Sequence, residues 1–315
     1  MMDKNVFKEE LNKRVSAAEK AVKSHLPEAG AYNGKVAEAM DYSVMAGGKR
    51  LRPLFMMESF RLFCPFDPAD AESMPGELSA FMSAMEYIHT YSLVHDDLPA
   101  MDNDELRRGR ATTWKVYGDG MGVLAGDGLL NYAYELMISV ASSYAVAGEQ
   151  ELCRRCIVAA GILADKAGVS GMIGGQCADL EAEGHGGSAS VEELMYIHEH
   201  KTGCLIEAAL MAGGVLAGAS QNETEVLEKI GSDIGIAFQI KDDILDVIGD
   251  SAKLGKKTGS DEANDKVTYV SLNGLENSET EVKRLSEEAE RLIDSLPGDK
   301  EFLKALVGSL TERDN

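Results

Sequence analysis

The chain has 315 residues, 44% hydrophobic and 27% charged, so it can bury a sizeable core. Its 31 Lys and Arg against 53 Asp and Glu give a net charge of -22. So acidic a surface excludes nucleic acid or an anionic membrane as the main partner, and an anionic substrate would need local cations to bind against the global field.

The N-terminal stretch MMDKNVFKEELNKRV is charged and amphipathic, not a signal peptide. Helical periodicity then dominates the chain. Helices are predicted over 11–25, 78–98, 129–144, 191–216, 223–247 and 280–296. In the last of these Val282, Leu285, Ala289, Leu292 and Ile293 mark one face. The stretch 205–216 is apolar nearly all round and belongs inside a bundle. The uncharged run 208–222 is too short and too glycine-rich to span a bilayer. Prolines number only seven, three of them between Pro65 and Pro75; no repeat, low-complexity tract or linker stands out. The economical expectation is one all-α domain over 1–315, a single large helical bundle. The five cysteines are odd in number and scattered, which fits reduced thiols in the cytoplasm. Cys153 and Cys156 form a CxxC with no second pair, in a helical run, and are not read as a zinc or redox site.

Two acid-rich stretches carry chemistry. The first, HDDLPAMDNDELRRG, spans His95 to Gly109. Asp96 and Asp102 do not share a face of an ideal helix, but Pro99 lies between them and breaks the helix. A bulge is therefore expected after Leu98, swinging Asp102 back towards Asp96. The second stretch, FQIKDDILDV, spans Phe238 to Val247. Asp242 and Asp246 are four apart, so on a helix they lie about 40° from each other; Asp243 is offset by about 100° and flanks them. Apolar neighbours make such a carboxylate face expensive unless something neutralises it. Two carboxylates about 5 Å apart repel by roughly 3 kcal/mol at an effective dielectric of 20. Oxygen-only ligands select hard ions, and Mg2+ combines one or two carboxylates with substrate phosphates and water. Mn2+ can substitute by ligand hardness. Arg107 and Arg108 would take the remaining phosphate charge through forked hydrogen bonds. A single acidic stretch would ordinarily be a solvated loop; two, on two apolar helices, argue for a metal site.

A third element, GGKRLRP at Gly47–Pro53, packs Lys49, Arg50 and Arg52 behind two glycines. It suits a second anionic group, although a plain connecting loop could look the same. Other readings of local motifs are weaker. Glu86 and His89 form an ExxH, but a di-iron bundle needs a second one and none occurs. His198, Glu199 and His200 are expected on a helix surface, since alternate residues on a helix diverge. Gly249–Lys257 superficially matches a P-loop, with one residue too many and a helix instead of a strand before it.

Together these elements resemble the trans-isoprenyl diphosphate synthases, most closely the bacterial farnesyl diphosphate synthases. The resemblance lies in GGKRLRP, IHTYSLVHDDLPAMDNDELRRG, GGQCADLEAEG, HKTG, FQIKDDILDVIGD and LGKKTGSD, in that order, from about Gly47 to Tyr269. It implies the isoprenoid synthase fold, with a deep central cavity, and a homodimer. It implies a transferase in which an allylic diphosphate (dimethylallyl or geranyl), held by three Mg2+ and cationic side chains, ionises to a carbocation. The double bond of isopentenyl diphosphate attacks that cation, and a proton is lost to the departing pyrophosphate. By motif, Asp96 and Asp102 would hold two Mg2+ and Asp242 the third, with Asp97, Asp243 and Asp246 as supporting or water-mediated ligands. Arg107, Lys201, Lys256 and Lys266 would hold the allylic diphosphate. Lys49, Arg52, His89 and Arg108 would hold isopentenyl diphosphate. Thr202 and Gln239, with Lys201, would orient dipoles at the developing cation, and Gln176 and Asp179 would support them.

Two positions depart from the family pattern. Lys241 stands where Gln is frequent, and Val270 follows Thr268-Tyr269 where Pro is usual, close in sequence to Lys266. Tyr91 lies five residues before Asp96, about 7.5 Å down the helix. An aromatic there, with the two-residue-longer first motif, goes with a fifteen-carbon product in the resembling bacterial enzymes. Tyr91 is thus the expected floor for the growing tail, with farnesyl diphosphate as product and geranylgeranyl diphosphate as the alternative; a plain core tyrosine is the competing reading. A terpene cyclase would not need GGKRLRP for a separate isopentenyl diphosphate, and a non-catalytic synthase subunit would be expected to have lost acids from one cluster.

Overall fold

The computed structural model describes residues 2–68, 73–184, 190–248 and 267–311. Lys256, Lys266 and the P-loop-like stretch 249–257 lie outside the described residues. Along the chain run α1 (Lys4–Ser24), α2 (Gly34–Val44), α3 (Leu51–Phe63) and α4 (Gly76–Asp96). A two-stranded hairpin follows, β1 (Leu106–Arg107) and β2 (Arg110–Ala111). Then come α5 (Thr113–Tyr117), α6 (Asp119–Ala147), α7 (Gln150–Ala167), α8 (Met172–Gly184) and α9 (Val191–Ile197). A π-helical turn, His198–Gly203, leads into α10 (Cys204–Ala217) and α11 (Gln221–Ile248). Beyond it lie α12 (Tyr269–Asn273), α13 (Leu275–Ser295) and α14 (Glu301–Thr311). The all-α expectation therefore holds.

Helix α10 occupies the middle, with α3, α7 and α11 packed around it. Its residues Cys204 to Leu210 and Ala212 to Leu216 are all buried, as the run of small and apolar residues requires. Helix α4 is buried on nearly every side against α6, α1 and α3. The main core joins these helices through Phe55, Phe60, Phe81, Met85, Tyr87 and Leu210, among others. Val282, Leu285, Ala289 and Ile293 form the buried face of α13 as their spacing predicts; most of its contacts are with α11.

The stretch 150–182 is long and apolar enough for a membrane span by composition alone. It is interrupted at Gly168, the C-cap of α7, and Cys156, Ala159, Leu163 and Ala167 turn into the core.

Local chemistry sets the ends of the elements that carry the site. Pro53 falls in the first turn of α3, where a backbone N–H has no intrahelical acceptor to lose. Thr268 caps α12 in a reciprocal box with Ser271. Val270 sits in the first turn of that helix and is buried. The hairpin pairs Leu106 with Ala111 and Arg107 with Arg110. Its two turn residues, Arg108 and Gly109, have φ of 53° and 74°. Two consecutive left-handed residues make the tight turn that matches strand twist.

Candidate active site

The bulge predicted between Asp96 and Asp102 is present, and it begins earlier than expected. Helix α4 ends at Asp96, capped by Asp97. The chain then turns over Pro99, and the Asp102 N–H donates to the Asp96 carbonyl at 2.8 Å. Asn103 N–H returns to Leu98 O at 3.1 Å, which closes the turn. A proline-broken helix end thus brings two acids six residues apart to one place.

The three acids of this motif play different parts. Asp97 is buried, and its Oδ1 accepts from Arg107 Nε at 2.6 Å. It anchors the hairpin to α4 through this ion pair, which occupies one of its two carboxylate oxygens. Asp96 is half-buried and Asp102 exposed. Burial pushes the Asp96 carboxyl up to about 6; Lys201 draws it down, Asp102 pushes it up and Arg107 draws it down. The end of α4, the hairpin and the π-helical turn therefore share one electrostatic field. Burial likewise pushes Asp97 up to about 6, against the pull of Arg107.

Arg107 and Arg108 diverge because the hairpin turn separates them. Arg107 faces Asp97, with Asp104 at 3.5 Å. Arg108 reaches back to the Gly47 carbonyl. There it joins Lys49, Arg52 and His89 around an open cavity of ≈ 530 Å³. These are the four residues predicted to act on a second anion, and the structure brings them together. Arg52 donates to His89 Nε2 at 3.2 Å. Since guanidinium only donates, Nε2 is the acceptor and the proton sits on Nδ1. Burial, reinforced by Arg52, Arg108, Arg107 and Arg50, holds His89 well below its ordinary value, so the imidazole is neutral. Burial also lowers Arg52, to about 10.

Arg50, between the two predicted ligands, also lines the cavity, but it is buried and held by a buried partner. It adopts a left-handed backbone at φ 51°, and its guanidinium donates to Glu86 at 2.6 Å and to Val44 O at 2.8 Å. Sequence reasoning met Glu86 only as part of an ExxH and missed this pair. A buried glutamate one turn before His89 and a spare arginine in GGKRLRP were the signal.

The second acidic stretch lies on α11. Asp242 is exposed and Asp246 half-buried, one turn apart. Asp243 is buried and accepts from the Tyr269 N–H at 2.7 Å, tying α11 to the start of α12. Like Asp97, it holds a neighbouring segment in place through one carboxylate oxygen. His198 was expected on the surface; it is 4% exposed, with Nε2 3.9 Å from Asp243 Oδ2. The physical reason is the π-helical turn, which inserts a residue and rotates the face of the helix. The helix predicted over 191–216 is helical throughout, but it passes from α to π geometry and back at the same place. His200 instead stacks on Tyr196 at 3.8 Å. Lys201 pairs with Asp179 at 2.5 Å; Thr202 is half-buried on the π turn and Gln239 half-buried on α11. Tyr91 is buried beneath Asp96, with its ring edge-on to His95 at 5.8 Å.

The donor set suits a hard divalent cation: oxygen alone, with the Asp96 carboxylate under-compensated by its surroundings. Among the described residues no three His, Cys, Asp or Glu side chains converge into a metal cage. The acids of the first motif are thus not a self-sufficient site, which agrees with a cation held partly by phosphate oxygens.

Comparison with known proteins decides the family. Residues 33–304 match the polyprenyl synthetase family. The chain belongs to that family. The enzyme is a trans-prenyltransferase, condensing prenyl diphosphates head to tail. It is 43% identical over 278 residues to the farnesyl diphosphate synthase of Bacillus subtilis, covering 88% of each chain. It is 42% identical to the large subunit 1 of a heterodimeric geranylgeranyl pyrophosphate synthase of Arabidopsis thaliana, covering 89% of this chain and 73% of that one. Among solved structures, the geranyltransferase of Helicobacter pylori, complexed with magnesium and isoprenyl diphosphate, superposes with a TM-score of 0.78 at 31% identity. That alignment covers 98% of this enzyme and 97% of the other.

Proposed function

We propose that the enzyme makes farnesyl diphosphate, adding isopentenyl diphosphate first to dimethylallyl and then to geranyl diphosphate. The observation that carries this reading is the pairing of a cationic cavity with an acidic helix end about Asp96. Two diphosphates need two differently built sites. Lys49, Arg52 and Arg108 supply charge for isopentenyl diphosphate, with neutral His89 presenting Nδ1–H as a further donor. The allylic diphosphate would lie by Arg107 and Lys201, with Lys256 and Lys266 completing its shell.

Asp96, Asp102 and Asp242 would hold magnesium, three ions in all, with Asp97, Asp243 and Asp246 in supporting or water-mediated roles; Mn2+ can substitute. When bound, the metal supplies Lewis-acid neutralisation of the diphosphate's developing charge. The side chains do the rest. Arg107 and Lys201 stabilise the charge that accumulates on the leaving oxygens as the C–O bond breaks. Thr202 and Gln239 turn their dipoles towards the allylic cation. The double bond of isopentenyl diphosphate then forms the new C–C bond, and a proton leaves to the departing pyrophosphate. Tyr91 limits the tail to fifteen carbons.

The alternative product is geranylgeranyl diphosphate, which the similarity to the Arabidopsis subunit favours. We further read the chain as one domain over 1–315, cytoplasmic and homodimeric. Exposed Leu124, Ile138, Val146 and Ile157 on α6 and α7 support a second copy as partner.

The test is a chain-length assay with Mg2+, dimethylallyl diphosphate and isopentenyl diphosphate, and an EDTA control. A fifteen-carbon alcohol after dephosphorylation, absent with EDTA, is expected. A product of twenty or more carbons refutes the Tyr91 limit and retains the reaction. No product from folded protein, with geranyl and farnesyl diphosphates also tried, refutes the catalytic reading.

A further inference from the structure

The π-helical turn that carries Lys201 and Thr202 is held from two sides. On one side lies α8. Gly175 packs so closely that a Cβ there would fall inside the Lys201 amide and the His200 carbonyl carbon. Four residues on, and so on the same face of α8, Asp179 receives the Lys201 ammonium at 2.5 Å. On the other side Gly203 meets Gly235 of α11, where an added Cβ would stand 2.5 Å from the Gly203 Cα. Gly235 lies one turn before Gln239. The backbone of the turn is thereby clamped between two helices.

Asp179 is 6% exposed, while the Lys201 side chain is 28% exposed. The carboxylate is sunk behind the lysine, and the ammonium keeps an open side. Lysine is a flexible stem with three rotatable donors and no geometry of its own. One N–H bound to a fixed buried oxygen leaves the other two pointing in defined directions.

We propose that Asp179 is a positioning residue: with Gly175 it aims the Lys201 ammonium at the acidic end of α4, where the allylic diphosphate departs. This rests on the assignment of Lys201 to that diphosphate. Asp179 touches no substrate in this scheme and acts only through Lys201. The benefit is preorganisation, since an ammonium already aimed needs no reorganisation as the leaving-group charge develops.

The test is a double-mutant cycle on the full chain, read as steady-state kinetics with geranyl and isopentenyl diphosphates. D179N keeps the shape of the side chain and removes its charge. It is expected to lower kcat by about 10- to 100-fold, the range for loss of a group that orients a functional side chain. The KM for isopentenyl diphosphate, set in the distant cationic cavity, stays within twofold of wild type. In a K201M background D179N costs nothing further, because the two residues act as one unit. Should the asparagine disturb folding, by circular dichroism, D179E carries the same cycle, retaining the charge one methylene away. Wild-type kcat for a folded position-179 variant, or losses that multiply in the double variant, overturns the proposal. If K201M itself turns over like wild type, the assignment of Lys201 falls, and the proposal with it.

Discussion

Removing Glu86 is the sharpest probe of how the cationic loop is held. The Arg50 and Glu86 side chains are 1% and 3% exposed and meet at 2.6 Å. In Glu86→Leu the guanidinium stays charged, because arginine does not deprotonate in proteins. It keeps the Val44 carbonyl at 2.8 Å and a half-exposed Glu19 at 3.6 Å, neither of which replaces a buried carboxylate. Breaking such a pair by deleting one member costs about 3–5 kcal/mol. Arg50 also loses the contact that keeps it left-handed, a conformation that costs roughly 1–2 kcal/mol for a residue with a Cβ. The loop that presents Lys49 and Arg52 should then loosen, and the KM for isopentenyl diphosphate should rise. Urea unfolding followed by circular dichroism measures the first effect, and steady-state kinetics the second. The double variant Glu86→Leu/Arg50→Met removes both charges and should recover most of the lost stability. A loss below about 1 kcal/mol in the single variant, or a double variant as unstable as the single, refutes the idea that this pair braces the loop.

Asp96→Ala and Asp242→Ala should each lower turnover by at least about 100-fold with helix content unchanged by circular dichroism, as expected for loss of transition-state charge stabilisation; near-normal turnover would remove either residue from the metal site. Tyr91→Ala should lengthen the product beyond fifteen carbons in the chain-length assay, and an unchanged product from folded protein returns Tyr91 to the plain core. The pH dependence of stability should carry the mark of His89. Its folded value is held below the ordinary one, so its stabilising share is present above about pH 6.5 and is lost as pH falls towards the depressed folded value. Urea midpoints at pH 7.5 and 5.5 should therefore drop further for wild type than for His89→Gln; equal drops would mean that the imidazole protonates freely in the fold.

Much of this molecule follows from local chemistry. Apolarity on nearly every side marks α10 as a helix inside a bundle, and periodicity marks the Val282–Ile293 face as buried; that α10 is the central helix was decided by the fold. Pro99 between two acids requires a broken helix, and the break is what turns Asp102 back to Asp96. The concentration of Lys49, Arg50 and Arg52 in a chain of net charge -22 is itself a sign of an anion site. What a linear reading could not supply was direction. Asp96 and Asp97 are chemically identical neighbours, yet one belongs to the open site and the other to Arg107, because the hairpin folds back over only one of them. Arg50 and Arg52 differ in the same way: a left-handed backbone sends the first to Glu86 and leaves the second facing His89. His198 looked like surface on an α-helical wheel, and one inserted π-helical residue turned it inward. Composition and spacing determine which groups are present and which elements carry them. Where each charge points depends on partners tens of residues away, Glu86 for Arg50 and Asp179 for Lys201, and only the packed helices bring those partners within hydrogen-bond reach.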